Sequence, residues 1–60
     1  GKDEILFHLG RLYEKDREER DMEQSYDYYR QVVEGYPSSR YYKQAQERVE
    51  HLKENFIDIR

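Results

Sequence analysis

Sixty residues carry 11 Lys+Arg and 14 Asp+Glu, a net charge of −3, with 42% charged and 15% aromatic side chains. A chain this short forms one domain, buries only roughly 60% of its unfolded surface and leaves no room for an elaborate enclosed active site. The acidic balance, with bases interspersed among acids, disfavours nucleic acid as a partner, and the lack of Cys removes disulfides, thiolate metal sites and thiol nucleophiles.

The longest apolar run is Ile5-Leu6-Phe7, so neither a transmembrane helix nor a signal peptide is expected, and no direct membrane insertion. One Pro, three Gly and no Asn-Gly or Asp-Gly turn argue against a sheet. The expected class is all-α, with residues 1–60 as a single domain. A first helix is predicted over 3–17, because Ile5, Leu6, Leu9, Leu12 and Tyr13 share one helical face and Asp3 and Glu4 favour its N-terminus. Next comes the unbroken charge run Glu14 to Asp21, read as a helix end plus a solvated loop that adds little to stability. Asp21 is the expected N-cap of a second helix over 22–35, with Gln24 completing a capping box. Met22, Tyr26, Tyr29, Val32 and Val33 form its stripe, Gly35 offers a left-handed terminus, and Pro37 prevents continuation. Ser38 and Ser39 offer caps for a third helix over 39–58, where Tyr42, Ala45, Val49, Leu52, Phe56 and Ile59 alternate at steps of 3 and 4.

Leu6, Leu9, Gly10 and Tyr13 in the first helix, followed by Ser25, Tyr29, Val32 and Pro37, resemble the signature of the tetratricopeptide repeat (TPR) family. The stretch between Tyr13 and Ser25 is three residues longer than in that family, a departure placed in the charged loop. The phrase Tyr36-Pro-Ser-Ser-Arg-Tyr-Tyr-Lys-Gln-Ala45 is similar to the bacterial envelope branch, which includes the lipoprotein of the outer-membrane barrel-assembly machine and the Tol-Pal coordinator. Ser38 stands where that branch usually has Asp. The resemblance implies a helix-turn-helix repeat plus a third, capping helix, a fragment of an α-solenoid. It also implies a protein-protein interaction scaffold, periplasmic or outer-membrane-associated, with a cytoplasmic location as the alternative. Gly10 and Ser25 are the small side chains that would let two helices approach closely.

The same resemblance places the partner-binding face on the first helix, at Glu4, Phe7, Arg11, Glu14 and Lys15. Phe7 beside Arg11 would anchor a peptide or helix of another protein, or else would pack against a preceding repeat. The Lys and Asn constellation that holds a C-terminal carboxylate in chaperone-binding members is absent, Phe7 and Arg11 occupying those positions. Tyr28 and Tyr41, off the apolar stripes, are candidate contact residues. His8 and His51 read as surface histidines, and Glu18 and Glu19 as solvated acids with nothing to raise a pKa. No catalytic, metal or cofactor site is therefore expected. The rival reading is structural self-association: a third helix reaching Asp58 would overhang its neighbours, exposing Phe56, Ile57 and Ile59 and favouring a homo-oligomer in isolation.

Overall fold

The computed structural model describes residues 1–16 and 18–55, and among these it is all-α, without a strand. Three helices follow in order, α1 Lys2–Glu14, α2 Glu19–Gly35 and α3 Tyr42–Asn55. The middle helix packs against both of the others. Phe7, Met22, Tyr29, Val32, Ala45 and Leu52 form the core, with Leu6, Tyr26, Val33, Tyr36, Tyr41 and Val49 packed around it.

Several boundaries differ from the periodicity reading. The second helix begins at Glu19 rather than Met22, and Glu18, extended at φ −71° and ψ 146°, is its N-cap. Asp21 caps nothing, because the amide of Met22 already donates to the Glu18 carbonyl at 2.8 Å. Glu19 and Asp21 instead lie in the first turn, where acids complement the helix dipole. Part of the charged run thus lengthens α2 and does not form a loop. Gly35 is helical, without the left-handed backbone anticipated for it, and Tyr36 takes the C-cap position at φ −135°.

The third helix starts at Tyr42, later than expected, after a turn organised by Ser39. The Ser39 hydroxyl accepts from the Tyr41 amide at 3.0 Å and donates to Asp3 Oδ2 at 2.6 Å. This hydrogen bond, the largest cause, holds the half-buried Asp3 carboxyl below its usual range. It pins the start of α1 to the segment that leads into α3.

The apolar stripe assigned to the first helix is divided between two faces. The buried residues of the helix are Phe7 and Gly10, neither of them on that stripe, whereas Ile5 and Leu12 are 61% and 60% exposed. Tyr41 covers Phe7 in a stacked pair with ring centroids 4.7 Å apart. Tyr28 stacks on Tyr13 at 5.6 Å, so neither off-stripe tyrosine stands free as a contact residue.

Candidate partner-binding groove

The register of α1 against α2 is set at Gly10. The Ser25 hydroxyl donates to the Gly10 carbonyl at 2.6 Å, and both residues are buried. A Cβ at position 10 would stand 2.8 Å from two ring carbons of Tyr29, a contact that side chains do not tolerate. Glycine is thus what allows the tyrosine ring to lie flat beneath the helix, and that ring carries its hydroxyl to the far end of α1.

There the hydroxyl of Tyr29 donates to Glu14 Oε1 at 2.8 Å. Arg48 of α3 donates to the same carboxylate, from Nε to Oε1 at 3.3 Å and from Nη2 to Oε2. One carboxylate therefore joins all three helices. This corrects the placing of Glu14 in a solvated run without structural weight: its side chain is only 20% exposed. Burial, the largest cause, pushes the Tyr29 phenol up to about 12, against lowering contributions from the Arg11 charge and from Ser25.

That shift gives a pH dependence of definite sign. The folded state holds the Tyr29 proton more tightly than the unfolded chain does, so this contribution is complete below about pH 10 and is lost as pH rises through about 12. We expect stability to fall more steeply across this window in the native sequence than in Tyr29→Phe. Urea unfolding on either side of it checks the difference, and equal slopes for the two proteins would contradict it.

At the other end of the charged run the Asp16 carboxyl is raised, first by a hydrogen bond shared with Asp21, then by desolvation and by repulsion from Asp21 and Glu18. The expectation that nothing in this run perturbs a carboxylate is corrected to that extent. Asp16 is exposed and Asp21 is half-buried.

Between α1 and α3 runs a groove of about 450 Å³ lined by Phe7, Arg11, Glu14, Lys15, Tyr29, Gln44, Glu47 and Arg48. Four of the five partner-binding positions expected on the first helix line it. Glu4 does not; it lies within 3.9 Å of His8 and approaches the Tyr41 hydroxyl at 3.5 Å. Phe7, at 3% exposure, is a wall of the core and no accessible anchor, because Tyr41 stacks on one side of it and Tyr29 meets it edge-on at 5.5 Å. The α3 side of the groove, Gln44, Glu47 and Arg48, was missed from sequence. Arg48 pairs with Glu14 across 34 positions of chain, and no local pattern announces such a pairing.

Arg11 in the last turn of α1 and Lys15 at its C-cap are exposed along the groove and have no ion-pair partner among the described residues. No group of metal-binding side chains occurs among the described residues. Phe56, Ile57 and Ile59, the positions assigned to self-association, lie outside the described residues.

The helix order and the Gly10–Ser25 contact fit the tetratricopeptide pattern, and the comparison with known families agrees with it. Residues 2–58 match the family described as YfiO, outer membrane lipoprotein. The chain belongs to that family. A relative from Borreliella burgdorferi (strain B31), described as an uncharacterized protein, is 37% identical over 54 residues, which are 90% of this chain and 16% of that protein. The chain thus spans about a sixth of the length of that relative. No solved structure matches. The YfiO family description places the chain with envelope-associated proteins, and among the described residues no helix is long and apolar enough to cross a membrane.

Proposed function

We propose that this member of the YfiO family is a non-enzymatic protein-protein interaction module of a cell-envelope scaffold, facing the periplasm at the outer membrane. Its groove between α1 and α3 receives a peptide or helix of another protein. The observation that carries this reading is the contrast within the groove. Glu14, Tyr29 and Arg48 neutralise and brace one another across three helices, while Arg11 and Lys15 are exposed and hold no ion pair among the described residues. A rigid wall with two exposed cations at the end of α1 suits a partner segment that carries acidic side chains, for which charge complementarity sets encounter rate and orientation.

Arg11→Gln with Lys15→Gln removes both charges while keeping the side chains of Glu14, Tyr29 and Arg48 and the core. We expect the folded full-length protein to lose at least about tenfold in affinity for its acidic partner, the equivalent of roughly 1.4 kcal/mol. Unchanged co-purification of the same partners by the doubly neutralised protein would refute the groove as the binding site.

A further inference from the structure

The groove has walls of opposite sign. On α1 it is edged by Arg11 and Lys15, and on α3 by Glu47, which stands at the lip where the groove meets the polar outer face of α3 with Gln46, Glu50 and Glu54. Glu47 is exposed and, like the two cations, holds no ion pair among the described residues. The walls do not close on each other. Between them Arg48 is held on Glu14, so the charges in the middle are neutralised while those of the two rims stand apart across open space. That same pair sets their level. Glu14 lies between Arg11 and Lys15, and Glu47 is the residue before Arg48, so Glu47 stands opposite the stretch from Arg11 to Lys15.

The floor decides what form of chain can lie there. An amphipathic helix laid in a groove needs apolar surface for its anchors. Phe7 and Tyr29, the aromatic rings of the lining, are 3% and 0% exposed and offer almost none. An extended segment makes no such demand, because its successive side chains point to opposite sides and every second one meets the same wall about 6.6 Å further on. Lys15 keeps a helical backbone at φ −64° and ψ −30°. It therefore stands about 6 Å beyond Arg11 along α1, at ~1.5 Å per residue. The two spacings agree. Gln44, exposed in the same lining, supplies a carboxamide with donors and an acceptor for an extended backbone, whose own N–H and C=O groups arrive unpaired.

Given the groove as the binding site, we infer that its occupant is an extended segment in which an acidic, a basic and an acidic side chain follow one another. The two acids reach Arg11 and Lys15, and the base between them reaches Glu47 on the opposite wall.

NMR titration of the full-length protein with two synthetic peptides tests it. Gly-Ser-Glu-Lys-Glu-Ser-Gly carries the alternating order, and its isomer Gly-Ser-Glu-Glu-Lys-Ser-Gly has the same net charge but, when extended, turns one acid toward Glu47. We expect the alternating peptide to bind at least about fivefold more tightly, and the preference to vanish in Glu47→Gln, a change at an exposed side chain that folding withstands. Both peptides should be lost from Arg11→Gln with Lys15→Gln. Equal binding of the isomers, with both still dependent on Arg11 and Lys15, would overturn the charge order and leave the groove standing. Absence of binding by the alternating peptide would overturn the extended occupant, and so would tighter binding by an alanine-rich helical peptide with Glu residues one turn apart. Failure of the groove itself shows separately, as partners that co-purify unchanged with the doubly neutralised protein.

Discussion

Gly10→Leu is expected to be the most damaging single change on α1. The first atom added at that position already falls 2.8 Å from the Tyr29 ring. That ring cannot yield, being fully buried and tied by its hydroxyl to Glu14. Overpacking of this kind costs about 1–3 kcal/mol, sometimes more, and displacing Tyr29 would also weaken the Glu14 joint. A domain of this size has a stability of only about 3–9 kcal/mol, at ~0.05–0.15 kcal/mol per residue. The melting temperature should therefore fall by roughly 10–20 °C, or the domain should fail to fold. Gly35 is the internal control, because nothing stands within 4 Å of a Cβ built there. Gly35→Ala should leave stability unchanged or raise it by a few tenths of a kcal/mol, up to about 1. A Gly10→Leu protein melting with the parent would show that the α1–α2 register is wrong.

Glu14→Ala should cost about 2–3 kcal/mol, far above the ±0.5 usual for a substitution in a solvated charge run. The larger part comes from the Tyr29 hydroxyl, which would be left buried without its acceptor. Arg48, 38% exposed, recovers hydration when its partner is removed and so adds less. Glu14→Gln keeps an acceptor for Tyr29 and should recover more than half of the loss. Arg48→Ala should be milder than Glu14→Ala, and the double variant should cost less than the sum, with a coupling of about 1 kcal/mol. Strictly additive losses would mean that the two residues do not meet.

These two sites mark where sequence is informative and where it is not. Gly10 was legible because a glycine one step after Leu9 and three before Tyr13, with a serine on the next helix, signals close helix approach within a short stretch. Helix number and order were legible for the same reason: apolar spacing and a Pro-Ser-Ser break are local. The side of α1 that meets the core was not. Apolar residues surround much of that helix, so counting them selects Ile5 and Leu12, which are mostly exposed, and passes over Phe7, which is buried. Periodicity records that a helix has apolar faces but does not rank them when it has two. The Glu14–Arg48 pair was invisible for another reason, since its members are brought together only by the packing of both outer helices on α2. Tyr41 belongs with these cases. It precedes α3, so its direction is set by the Ser39 turn and not by a helical period.

Site-specific photo-crosslinking tests the central claim most directly. A photoreactive residue replaces Lys15 on the groove rim in the full-length protein, and another replaces Gln46 on the polar face of α3. The groove reading predicts a discrete adduct with an envelope protein from position 15, none from position 46, and loss of the adduct when Arg11→Gln is added. An adduct that forms equally from both positions, or that persists undiminished with Arg11→Gln, would contradict it.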